Sequence, residues 1–229
     1  MSASADSCKD KPEELVEDSA QPDEADEADA ADRQFQKDLL TEQRYQFSRI
    51  VSGTRLHLPQ DAQEIPPATA DHLRRYVSQA KQLGVITAIA VNGHVDEVRR
   101  ICSEVEPDLQ VHILHVPCWG VFVPALNALL NFAQRSAAKY ILFQSLEVCC
   151  TTAVLQKIID HHDPDSLVVG PVFDGHNFLE GKQILDGRSS PWNTLALWSV
   201  RKLAMTGFLC IADGLPDGGL SDDQPFSPK

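Results

Sequence analysis

Residues 85–91 read VITAIAV, residues 111–116 VHILHV, residues 139–143 KYILF and residues 166–173 SLVVGPVF. Each is a short, mostly apolar run, and the first is continuous, as expected of a strand covered on both faces. Between them lie three stretches with helical character, at about 95–105, 122–136 and 151–161. Asp96 and Glu97 sit in the first turn of the first of these, where the helix dipole favours anions, and Thr151 or Thr152 can cap the third. Strand–helix alternation with short loops, repeated three times, predicts a mostly parallel α/β sheet with right-handed crossovers and helices on its flanks.

Outward from this block the pattern is less regular. Upstream, residues 33–51 read as a helix, residues 52–68 as a loop punctuated by Gly53, Pro59, Pro66 and Pro67, and residues from Thr69 or Asp71 to Leu83 as a second helix that Gly84 ends. Downstream, residues 174–192 read as a loop, residues 194–205 (TLALWSVRKLAM) as a helix, and residues 213–229 as a loose segment rich in Gly, Pro and Asp. The predicted organisation is therefore an acidic disordered leader at 1–32, a helical extension at 33–83, the α/β domain at 84–212 and a loose end at 213–229.

The chain has 229 residues and a formal net charge of -13. Residues 1–32 hold twelve acids and two bases, so the acidity belongs to the leader and the rest is close to neutral. A leader of Asp, Glu and Ala buries too little apolar surface to offset its chain entropy. The charge argues against a nucleic-acid partner held by phosphate contacts. No apolar run reaches the roughly 20 residues of a membrane helix, and the N-terminus carries no secretory signal pattern. The six cysteines form no Cys-x-x-Cys pair, and reduced, mostly buried thiols imply an intracellular, cytoplasmic setting.

In an open parallel sheet, ligands bind beyond the carboxyl ends of the strands. That selects the loops at Asn92-Gly93-His94, Pro117-Cys118-Trp119-Gly120, Gln144-Ser145-Leu146-Glu147 and Asp174-Gly175-His176-Asn177. The usual enzymes of this architecture are excluded, because the sequence contains no G-x-G-x-x-G, no G-x-x-x-x-G-K-[ST] and no G-x-S-x-G. His112 and His115, three apart on one strand, face opposite sides and cannot chelate one metal there.

The segment YILFQSLEV (140–148), preceded by PALNALLNFAQRSA from Pro124 and followed by DSLVVGPVF, resembles the nucleotide-sugar-binding half of family-2-type glycosyltransferases. The resemblance spans about residues 85–175 and implies a GT-A-like, Rossmann-like domain that moves a sugar from a nucleotide-diphosphate donor to an acceptor of unknown identity. On it, Trp119 and Gly120 match the turn before the helix, Asn127 matches the helix asparagine, and Ser145 and Glu147 fall on the two acidic positions of a D-x-D element. It implies a divalent metal, Mg²⁺ or Mn²⁺, held by Glu147 on the donor diphosphate. Asn92, Trp119, Gly120, Asn127 and Ser145 are implied around the nucleotide, and Asp174 and His176 near the acceptor. Asp222, then Asp223, after Gly218-Gly219, are the candidate bases. Ser145 departs from the pattern, being a neutral and weaker ligand, and Glu147 reads equally as a solvated side chain. The alternative is a catalytically inactive domain that binds a nucleotide sugar or a protein partner. The chain also ends where the resembling enzymes continue, which suggests a reduced or truncated form.

Overall fold

The structure, a computed structural model, describes residues 24–59, 61–182, 184 and 186–213. The chain divides into two units between Thr41 and Glu42. The first contributes most of helix α1 (Glu24–Phe47), which starts inside the stretch expected to be disordered. Ala and Glu recur there, and both are strong helix formers. The rest of the expected leader, 1–23, lies outside the described residues.

The second unit is built on a six-stranded sheet in the order β3-β2-β1-β4-β6-β5. Its strands are β1 (Ile50–Leu56), β2 (Ile86–Val91), β3 (Val111–His115), β4 (Tyr140–Gln144), β5 (Val168–Val169) and β6 (Leu195–Ser199). β1 pairs in parallel with both β2 and β4, and β2 in parallel with β3. β6 runs antiparallel between β4 and β5. The mostly parallel α/β sheet flanked by helices is the fold class the alternating pattern predicts. Three of its strands and all three intervening helices fall where the pattern places them, as α3 (Val95–Val105), α4 (Val123–Arg135) and α5 (Thr152–Asp160).

Two segments differ from expectation. Residues 50–56, read as the end of a helix and the start of a loop, form a central strand, β1. Its sequence, IVSGTRL, holds four consecutive small or polar residues, Ser52 to Arg55, between apolar ends. Ser52 is buried and bonds the Tyr76 hydroxyl at 3.0 Å, and Gly53 leaves room for Leu129 of α4, whose Cδ2 would stand 3.3 Å from an added Cβ. The helix expected over 194–205 is instead strand β6 followed by one turn, α6 (Val200–Leu203). Leu and Ala favour helix locally, but the register that places Leu197 beside Leu142 buries both completely, and tertiary packing outweighs propensity. The boundary expected at Gly84 falls within this sheet, since β1 and α2 (Pro67–Leu83) precede it and belong to the same core.

Helix α4 covers one face of the sheet through Leu126, Leu129 and Ala133. Helices α2, α3 and α5 cover the other through Leu73, Tyr76, Val77, Ile101 and Leu155. Gly84 adopts the left-handed conformation that closes α2, with φ 67°. β5 is short because Gly170 and Pro171 end its pairing: a Cβ at Gly170 would stand 2.8 Å from the Leu195 carbonyl, and proline has no N–H to donate. Among the described residues, no helix is long and apolar enough to cross a membrane.

Candidate functional site at the strand ends

Because β1 is central, its carboxyl end and those of β2 and β4 open on one place. A cavity of about 240 Å³ lies there, bordered by Gly53, Arg55 and His57 from β1 and its exit, by Trp119, and by Ser145 and Glu147 beyond β4. A second cavity of about 400 Å³ is bordered by His57, Leu58, Asn92, His94, Trp119 and Gly120. His57 and Trp119 stack between the two, with ring centroids 5.2 Å apart and planes 18° from parallel. Trp119 is buried, whereas His57 is exposed.

Strand alternation sorts the β1 side chains. Ser52, Thr54 and Leu56 face α2, while Val51, Gly53 and Arg55 face α4. Arg55 is half-buried, its guanidinium carbon 6.0 Å from the Phe122 ring centroid. Burial pushes its pKa down, and the nearby Asp213 carboxylate opposes that shift. Among the described residues Arg55 finds no hydrogen-bond acceptor and no ion-pair partner. On the other face, the Thr54 hydroxyl is buried without a partner among the described residues.

Asp213 lines neither cavity but holds the turn that carries Trp119 and Gly120 to the start of α4. It ends the short 3₁₀ turn Cys210–Asp213 and is 6% exposed. Its Oδ1 accepts the backbone N–H groups of Phe122 and Val123 at 2.7 Å each, and its Oδ2 accepts that of Val121 at 2.9 Å. These are the free donors at the start of α4, where a negative charge is favoured. Burial alone would raise the Asp213 carboxyl, but the three amides and Arg55 outweigh it and hold it below the usual aspartate value. Gly120, at φ 64°, is required beside it, because a Cβ there would collide with the Asp213 carboxylate.

The structure brings some of the sequence candidates together. Trp119, Ser145 and Glu147 border the first cavity, and Asn92, Trp119 and Gly120 the second. Asn92 also has a structural role, since its amide accepts from Leu58 N at 2.9 Å and donates to Leu58 O at 2.6 Å, fixing the exit of β1 to that of β2. Asn127 is occupied similarly, clasping Phe208 N and O at 2.9 Å each, and borders neither cavity. His176 borders a separate cavity of about 160 Å³, with Nδ1 accepting from Phe173 N at 2.7 Å and Nε2 donating to Ser190 O at 3.2 Å. Asp174 is exposed beside it. Asp222 and Asp223 lie outside the described residues.

Arg55, His57 and Asn193 line the first cavity and were missed by sequence reasoning, as was Asp213, which caps the turn beside it. The first two follow from the strand-end rule once β1 is recognised. Nothing local marks Asn193 or Asp213.

The site offers few side-chain donors for a divalent ion. Among the described residues, no group of three or more His, Cys, Asp or Glu side chains is arranged to hold a metal. The expected position offers one exposed carboxylate, Glu147, and one hydroxyl, Ser145, and Arg55 places a positive charge in the same cavity. Magnesium commonly takes most of its six oxygen ligands from water and substrate phosphates around one or two carboxylates, so Glu147 alone would be the protein's share.

No protein-family model matches the chain, and no curated protein matches it in sequence. Among solved structures, a cytidylyltransferase from Leptospira borgpetersenii serovar Hardjo-bovis (strain JB197) is similar with a TM-score of 0.43 and 10% identity, over 70% of this chain. This chain spans 64% of that protein. A 4-diphosphocytidyl-2C-methyl-D-erythritol synthase is similar with a TM-score of 0.39 and 19% identity, over 69% of this chain and 79% of that one.

Proposed function

We propose that the second unit binds a nucleotide-diphosphate sugar at the ends of β1, β2 and β4 and transfers the sugar to an acceptor. One observation carries the reading. Two adjoining cavities at the carboxyl end of a mostly parallel sheet share a stacked His57–Trp119 wall, with a guanidinium on one side. Such strand ends are where sheets of this kind take nucleotides, and the family resemblance supports the choice of donor. The base belongs in the larger cavity, against the aromatic wall. The diphosphate belongs in the smaller one.

In the transfer, the bond from the sugar's anomeric carbon to the diphosphate oxygen breaks. A bond from that carbon to the acceptor oxygen forms, and the nucleoside diphosphate leaves with the electron pair. The acceptor's hydroxyl proton passes to a base within hydrogen-bond reach. His57 and Glu147 are the cavity's side chains able to take it. A second reading, binding without turnover, is favoured by Ser145 standing where the resemblance implies an acid.

A thermal-shift screen of the full chain with UDP, GDP, CDP and their common sugars tests the reading, since a ligand of the native state raises Tm by mass action. A shift with one nucleotide class is expected, and no shift at millimolar concentration overturns the proposal. Release of free nucleotide in the presence of acceptors separates transfer from binding alone.

A further inference from the structure

We infer that the smaller cavity holds a diphosphate through the Arg55 guanidinium, without a divalent metal. This deepens the proposed function and rests on its assignment of that cavity to the donor. The first support is an unanswered charge. A guanidinium drawn partly out of water needs an acceptor for its N–H groups, and Arg55 has none among the described residues. The nearby negative group, Asp213, commits both oxygens to the backbone amides of Val121, Phe122 and Val123. It lends Arg55 a field but no hydrogen bond. The second support is the sparse donor set for a metal. Ser145 stands at one acidic position of the resembling element, Glu147 is exposed, and no third ligand joins them among the described residues.

The third support is size and chemistry. At about 240 Å³ the cavity is below the roughly 300–1,000 Å³ of sites that enclose a whole drug-sized ligand. It therefore takes a group rather than a whole nucleotide. A planar guanidinium offers paired N–H groups that match two phosphate oxygens, with a charge that does not titrate near neutrality. The Phe122 ring lies 6.0 Å from the guanidinium carbon, within the range of a cation–π contact that favours this placement of the charge. Asn193, on the same wall, adds an amide donor.

The test is calorimetric titration of the full chain with inorganic pyrophosphate, in EDTA and again with Mn²⁺. Binding in EDTA is expected, with at least tenfold loss in Arg55→Gln and partial retention in Arg55→Lys. A cooperative thermal transition in each variant confirms that it folds. Binding that requires Mn²⁺ and disappears in Glu147→Gln overturns the inference, as does unchanged affinity in folded Arg55→Gln or no binding in EDTA. Nucleotides titrated in parallel separate the two levels. Arg55-dependent pyrophosphate binding with no nucleotide binding sustains this inference and removes the nucleotide reading. Nucleotide binding only with Mn²⁺ does the reverse.

Discussion

Replacing Asp213 tests how the site is held together. Its carboxylate accepts three backbone N–H groups at 2.7, 2.7 and 2.9 Å at the start of α4, nearly out of contact with water. Hydrogen bonds to a charged group contribute about 1.5–3 kcal/mol each, but the three share one carboxylate and are not additive. Losing an N-terminal cap costs about 0.5–2 kcal/mol, and leaving a buried donor unsatisfied about 1–3 kcal/mol. Asp213→Asn keeps one oxygen for Phe122 and Val123 and loses the acceptor for Val121, so we expect a loss of about 1–2 kcal/mol. Asp213→Ala abandons all three, and we expect about 3–4 kcal/mol, or roughly 6–16 °C in Tm for a domain of this size.

The assay is urea unfolding followed by tryptophan fluorescence, to which Trp119, one residue before Gly120, contributes. The pH dependence has a definite sign. The folded carboxyl is held below its ordinary value, so its stabilisation is complete above the unfolded pKa of about 3.9 and is lost as pH falls through the folded value. The gap between wild type and Asp213→Asn should be full at pH 7 and begin to close below about pH 4.5. Equal stabilities at pH 7, or a gap that widens in acid, would refute the capping role.

Three further outcomes follow from single features. Gly120→Ala should destabilise by about 2 kcal/mol or more, measured by the same unfolding assay, because a Cβ there meets the Asp213 carboxylate at a left-handed φ of 64°. Thr54→Val should be neutral or raise stability by up to about 1–2 kcal/mol in thermal unfolding, because the hydroxyl it removes is buried and partnerless among the described residues. Cys102 and Cys150 should resist iodoacetamide at pH 8 in the native protein while Cys118, Cys149 and Cys210 react, as read by mass spectrometry. Burial pushes the first two thiols up to about 11 and about 12, and the other three are exposed.

The apolar runs at 85–91, 111–116 and 139–143 were legible as strands because strands covered on both faces announce themselves by composition. β1 was not, although with β4 it forms the middle of the sheet. Its interior positions are Ser52, Gly53, Thr54 and Arg55, chosen for a buried hydroxyl contact, for close approach of α4 and for the cavity wall rather than for apolarity. The consequence reached the site. The loops after β2 and β4 were legible, and Asn92, Ser145 and Glu147 in them border the cavities, but the residues that β1 brings between them were invisible. β6 was misread because a run of Leu and Ala has no period that separates a buried strand from a helix. The clasp of Asp213 on Val121 to Val123 joins positions about ninety apart in sequence, and no local pattern encodes such a pairing.

The most direct measurement is calorimetric titration of wild type and His57→Ala with whichever nucleotide shifts the melting temperature. His57 is exposed, so its removal leaves the core intact while taking away one face of the wall shared by the two cavities. Base stacking on an aromatic contributes roughly 1–3 kcal/mol, so at least a fivefold weakening of the nucleotide is expected in His57→Ala. Unchanged affinity in a folded variant would place the nucleotide elsewhere and contradict the assignment of the site.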